Sequence, residues 1–169
     1  MSNQTTNETR QETIQKIVEG KAPLNAVLGL SETQIQALAA IGYNLYRQGK
    51  LNEAAKMFSG LVAVDHNIYY GYAGLGAVAL AQEPPQLEEA YQNLARAAEL
   101  NPNDPSVQAN LGEVLLRQAK FEEAAKTLEK SFQLDPNHTD EGANRARAIV
   151  GGLQMVIQEV ERLQTATTH

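Results

Sequence analysis

Gly74-Leu75-Gly76-Ala77-Val78-Ala79 has the spacing of a dinucleotide-binding turn, where glycines let backbone approach a pyrophosphate at the start of a helix. That chemistry needs a strand before the turn and a βαβ unit around it. Neither pattern is present, and Gly76 falls at a position that recurs along the chain, so this segment is expected inside a helix. His66, His138 and His169 are the only histidines. His66 and His138 stand in turns far apart in sequence, and no metal triad or acid–base pair follows from them. The pairs Glu88-Glu89 and Glu122-Glu123 open helical segments, where a carboxylate favours the helix dipole and faces water. No cysteine is present, and the serines and threonines form no nucleophile elbow. The reading is of a chain with no catalytic residue, no cofactor and no metal.

The residues left for chemistry are those of recognition, and six tyrosines are prominent among only 5% aromatic residues. Tyrosine offers apolar area and a hydroxyl on one stiff side chain, which suits an interface. A content of 43% hydrophobic residues, with much alanine and no tryptophan, favours closely packed helices over a sandwich or barrel. The 169 residues suit one domain. The net charge of −6 argues against tracking a nucleic-acid backbone or an anionic membrane. No apolar run reaches the roughly 18 residues of a membrane span, and the polar N-terminus lacks the parts of a signal peptide. The expected location is the cytoplasm.

The elements that must position the tyrosines repeat. Gly49-Lys50-Leu51-Asn52-Glu53-Ala54-Ala55-Lys56 parallels Ala119-Lys120-Phe121-Glu122-Glu123-Ala124-Ala125-Lys126. Gly42, Gly76 and Gly112 are 34 and 36 residues apart, and Ala54, Ala90 and Ala124 are 36 and 34 apart. The middle unit therefore carries two extra residues, placed in its Gln82-Glu83-Pro84-Pro85-Gln86 turn, where prolines prevent helix. Each unit reads as two helices whose small residues let the axes approach. Phe58, Leu94 and Leu128, one turn after each alanine, fill the space beside that contact. Leu38, Ile41, Gly42 and Leu45 are expected on one face of the opening helix. Ser31 and Gln34 form a capping box there, and Asp104-Pro105 caps a later helix.

This pattern resembles the tetratricopeptide repeat, matched by all three units at about 35–68, 69–104 and 105–138. The resemblance implies an all-α tetratricopeptide-repeat α-solenoid. The expected organisation is a disordered tail over 1–8 and an N-terminal helix and linker over 9–30. Three repeats over 31–138 and a C-terminal capping helix and tail over 139–169 complete it. The last helix, from about 140 to 164, carries a seam of Ala146, Ile149, Leu153, Val156, Val160 and Leu163. The seam covers the open end of the array or pairs with another chain.

In such an array the first helix of each unit lines a concave face. The resemblance implies groove positions at Gln36, Ala39, Tyr43, Tyr46 and Arg47 in repeat one. In repeat two they are Tyr70, Ala73, Ala77, Leu80 and Ala81, and in repeat three Ser106, Ala109, Glu113, Leu116 and Arg117. The Lys/Asn/Arg set that clamps acidic chaperone tails in some relatives is absent, with Ala39, Tyr43, Gly74, Ser106 and Asn110 in its place.

A narrower likeness covers about residues 14–138. The run Leu38-Ala39-Ala40-Ile41-Gly42-Tyr43-Asn44-Leu45-Tyr46-Arg47-Gln48-Gly49-Lys50, then Asp65-His66 and Tyr69-Tyr70-Gly71-Tyr72-Ala73-Gly74-Leu75-Gly76, resembles the class II chaperones of type III secretion, the SycD/LcrH group. That resemblance implies a chaperone that holds hydrophobic translocator proteins in its concave groove before secretion. It also implies a homodimer through an N-terminal helix, here the segment with Ile14, Ile17 and Val18. The alternative is a tetratricopeptide scaffold in another assembly. The partner in either case is a protein or extended peptide, not a nucleic acid or a membrane.

Overall fold

The computed structural model describes residues 11–167, and the elements over them are helical. The tail assigned to 1–8, the start of the N-terminal helix and linker assigned to 9–30, and His169 lie outside the described residues. Helix α1 occupies 11–18, and a short α2, Asn25–Leu28, follows. Three hairpins come next: α3 (Glu32–Arg47) with α4 (Leu51–Val64), α5 (Tyr69–Ala81) with α6 (Leu87–Leu100), and α7 (Pro105–Arg117) with α8 (Phe121–Gln133). A long α9, Glu141–Thr167, closes the order. Each hairpin packs on the one before it, and α9 packs on both α7 and α8.

One contact recurs in every hairpin. A methyl group built on Gly42 would lie 2.7 Å from Phe58, on Gly76 2.5 Å from Leu94, and on Gly112 2.6 Å from Leu128. Phe58 and Leu94 are wholly buried and Leu128 nearly so, as are Ala54, Ala90 and Ala124 one turn earlier. The glycine removes the Cβ that would hold the two axes apart, and the large side chain fills the gap. Phe58 also spans two repeats, since a Cβ on Gly74 would fall 2.3 Å from its ring. The apparent dinucleotide turn is thus two glycines inside α5, receiving Phe58 from one side and Leu94 from the other.

Local signals set the ends. Ser31 Oγ accepts from Gln34 N at 3.3 Å while Gln34 Oε1 accepts from Ser31 N at 2.9 Å, the reciprocal box that starts α3. Asp104 accepts from Val107 N at 2.9 Å with Pro105 in the first turn of α7. The α2 turn is an addition to the expected linker. It ends at Gly29 in the left-handed region (φ 63°), and Asn25 bonds both the N–H and the carbonyl of Leu30. Ile41 departs from the expected face: it is 48% exposed, and Ile35, Ala39 and Gly42 are the buried residues of α3.

Helix α9 does two things along its length. Ala143 and Ala146 are buried, and Ile149 and Val150 pack beside Leu128 and Phe132. From 152 to 165 every residue is exposed, so Leu153, Val156, Val160 and Leu163 continue the seam past the end of the array. The junction is stapled by Asp135, only 5% exposed. Its carboxylate accepts from Thr139 N at 2.9 Å, Thr139 Oγ1 at 3.0 Å, Asp140 N at 3.2 Å and Arg147 Nη1 at 3.1 Å. Arg147 also donates to the Phe132 carbonyl at 2.9 Å. Burial alone would raise the Asp135 pKa, but these donors outweigh it and hold it at about 2.

Two outcomes test this packing. Gly74→Ala is expected to lower unfolding free energy by roughly 1–3 kcal/mol through overpacking against Phe58. Gly60→Ala in α4, where an added Cβ meets nothing within 4 Å, is expected to raise it by about 0.5–1 kcal/mol. Equal effects in denaturant titration would contradict the close approach. The depressed Asp135 pKa contributes stability that is present above the ordinary 3.8 and is lost as pH falls through about 2. Asp135→Asn is expected to be less stable than the parent at pH 7, and the difference should close between pH 4 and about 2. A difference independent of pH would refute the staple.

Candidate functional site

Side by side, α3, α5, α7 and the first turns of α9 form one concave groove of about 520 Å³. Its floor is Tyr43, Tyr46, Tyr70, Ala73 and Ala77. Tyr43 rests edge-on against Phe58, with ring centroids 5.0 Å apart, so the repeat core directly supports the groove floor. Burial, with the nearby Asp104 charge, pushes the Tyr43 hydroxyl above its usual pKa of 10. It is therefore a protonated donor throughout the neutral range. Burial does the same to Tyr69, whose hydroxyl donates to Asp104 Oδ2 at 3.1 Å and whose ring lies 4.1 Å from that of Tyr70.

The polar rim is tied together at intervals of one repeat. Tyr69 donates to Asp104, the cap of α7, and Ser106 donates to both oxygens of Asp140 at 3.0 and 2.9 Å. Asp140 in turn accepts from Ala143 N at 2.7 Å in the first turn of α9. Arg145 donates to Asn110 and lies 3.3 Å from Glu113, which also pairs with Arg117 at 2.7 Å. The starts of α5 and α7 thus each bond the start of the next such helix, and Asp104, Ser106, Asn110, Asp140 and Arg145 among these side chains line the groove.

Of the residues assigned to the groove from sequence, Tyr43, Tyr46, Arg47, Tyr70, Ala73, Ala77 and Ser106 line it. Others lie elsewhere. Ala39 and Ala109 are each 2% exposed and pack in the helical core, whereas Ala73, at the equivalent place in the second repeat, lines the groove. Gln36 is exposed and bonds Glu32 at 3.2 Å. Leu80 packs with Ala79, Ala90, Leu94 and Val114, in the core between the second and third repeats. Glu113 is taken up by its two arginines, and Leu116, on the far turn of α7, is half-buried. Among the described residues, no cluster of three or more histidine, aspartate or glutamate side chains is arranged to hold a metal.

Asn44, Asn110, Asp104, Asp140 and Arg145 line the groove without having been singled out for it. The signal for Asn44 was available: Ala40, Tyr43, Asn44 and Arg47 stand at helical i, i+3, i+4, i+7 spacing. The signal for the α9 wall was Asp140, 36 residues after the cap Asp104. It marks α9 as a fourth first-type helix, the last element among the described residues. The arrangement offers stiff aromatic faces, shallow gaps over alanines, and asparagine amides able to bond an extended backbone.

The tetratricopeptide repeat family matches residues 79–155. The chaperone protein SicA of Salmonella typhimurium is 30% identical over 167 residues, covering 99% of this chain and 93% of SicA. PcrH, in complex with the chaperone-binding region of PopB, is 30% identical, with a TM-score of 0.57 over 71% of this chain and 97% of that one. The Yersinia enterocolitica type III secretion chaperone SycD, bound to a peptide of the translocator YopD, has the same fold. It is 24% identical, with a TM-score of 0.60 over 74% of this chain and 95% of that one. With three hairpins of the repeat pattern and a likeness to SicA along nearly its whole length, the chain belongs to the tetratricopeptide-repeat chaperones of type III secretion.

Proposed function

We propose that this chain binds an extended, apolar segment of a secreted translocator protein in the groove of α3, α5, α7 and α9. Covering that segment keeps the client soluble and competent for secretion. The observation that carries the reading is the continuous floor of Tyr43, Tyr46 and Tyr70 beside Ala73 and Ala77. The complex of PcrH, 30% identical, with the chaperone-binding region of PopB supports it. Burying a few aliphatic side chains at about 1.5–3 kcal/mol each suffices to hold a segment without ATP or any catalytic step. The protein is a binding chaperone and not an enzyme, and it works in the cytoplasm, where clients are held before export. No helix among the described residues is long and apolar enough to cross a membrane.

A homodimer through α1 belongs to the same proposal. Ile14 and Val18 are 46% and 77% exposed, with Ile17 half-buried on the same short helix. At the first end of the array, Leu38, Leu45, Met57, Leu61 and Val64 border a second, mostly apolar groove that could receive such a helix.

Titration calorimetry against the translocator that co-purifies from the host tests the groove. Tyr43→Ala with Tyr46→Ala is expected to weaken binding at least tenfold, the size of an interface hot spot, with helicity retained. Unchanged affinity would remove the groove assignment. Deletion of residues 1–20 is expected to move the light-scattering mass from dimer to monomer, and an unchanged mass would remove α1 from the interface.

A further inference from the structure

Six arginines lie among the described residues, and five of them are paired with a carboxylate. Arg96, Arg117, Arg145, Arg147 and Arg162 sit 2.7 to 3.3 Å from Glu99, Glu113, Glu113, Asp135 and Glu159 respectively. Arg47 has no such pair. It is exposed, lines the groove beside Tyr43 and Tyr46, and has one bond of its five possible: Nη2 donates to Asn44 Oδ1 at 2.5 Å. That bond restrains the guanidinium from within its own helix and leaves its other donors open.

The opposite side of the groove has the other sign. Asp104, Asp140 and Glu141 line it at the starts of α7 and α9. Asp104 and Asp140 already accept bonds from Val107, Tyr69, Ala143 and Ser106, so these carboxylates are fixed in place. Arg145 on the same side is engaged by Glu113 and Asn110. The groove is therefore polarised, with an open cation at the last turn of α3 and anchored anions across from it. An extended peptide that satisfies the apolar floor in either direction meets different charges in the two directions.

We infer that Arg47 pairs with a carboxylate of the client next to the apolar side chains seated on Tyr43 and Tyr46, and so selects clients with an acidic residue there and fixes their direction. This rests on the groove being the client site. Arg47 also stands in the last turn of α3, where a cation favours the helix dipole. A purely structural role of that kind would not alter which peptide charge is preferred.

The probes are fluorescein-labelled peptides of Pro, Leu, Val and Ala, ten residues long, with one Glu, Gln or Lys walked along them and affinities read by anisotropy. At one register the expected order for the wild type is Glu, then Gln, then Lys, with about threefold to tenfold between the extremes, as for an ion pair at a partly exposed site. The spread should shrink at 0.5 M salt. Arg47→Glu should reverse the order at that register, and Arg47→Gln should flatten it. An unchanged order in both variants overturns the inference. The unsubstituted apolar peptide tests the groove separately. If it binds Tyr43→Ala/Tyr46→Ala as well as the wild type, or the wild type binds no peptide, the groove reading fails and takes the inference with it.

Discussion

The structure depends on one contact made three times: a glycine on the first helix of each hairpin receiving Phe58, Leu94 or Leu128 from the second. Helix axes normally stand 8–10 Å apart according to the side chains between them, and a missing Cβ lets them close to the lower end. The alanine one turn before each large residue keeps the crossing narrow. Phe58 carries most, because it also meets Gly74 in the next repeat and the edge of the Tyr43 ring. Core packing and groove floor are therefore one continuous set of contacts.

From that spacing the groove follows. First-type helices set side by side turn a shared face toward the concavity, and bonds from Tyr69 to Asp104, Ser106 to Asp140 and Arg145 to Asn110 hold α5, α7 and α9 in register. The groove is thus largely preformed. That suits a chaperone that receives an unstructured segment, because the client then bears most of the ordering entropy. Helix α9 completes the surface: its first turns supply a wall, its middle caps the array, and its remainder stands clear of the repeats.

Much of the architecture could be read from the sequence because its causes are local or periodic. The glycine and alanine positions, the Ser31 box, the Asp104-Pro105 cap and the proline turn all act within a few residues of themselves. The groove was legible only in part. Tyr43, Tyr46, Arg47, Tyr70, Ala73 and Ala77 fall on it, whereas Ala39 and Ala109 pack in the core and Leu80 packs between the second and third repeats. A fixed list of repeat positions ignores how superhelical twist rotates each helix relative to its neighbours. Asn44 belonged to a helical stripe that the list skipped. Arg145 and Asp140 required knowing that α9 packs as a first-type helix, a tertiary fact. The seam of α9 has the same spacing on both sides of Gly151, yet Ala146 is buried and Leu153 is 44% exposed, because α8 ends before the seam does.

The central claim is that a client segment lies along the concave face built by these contacts. Hydrogen exchange measured by mass spectrometry, with and without the co-purified client, tests it most directly. The account predicts new protection in α3, α5 and the first turns of α7 and α9, with α4, α6 and α8 little changed on their outer faces. Protection confined to α4, α6 and α8, or to the projecting end of α9, would contradict it.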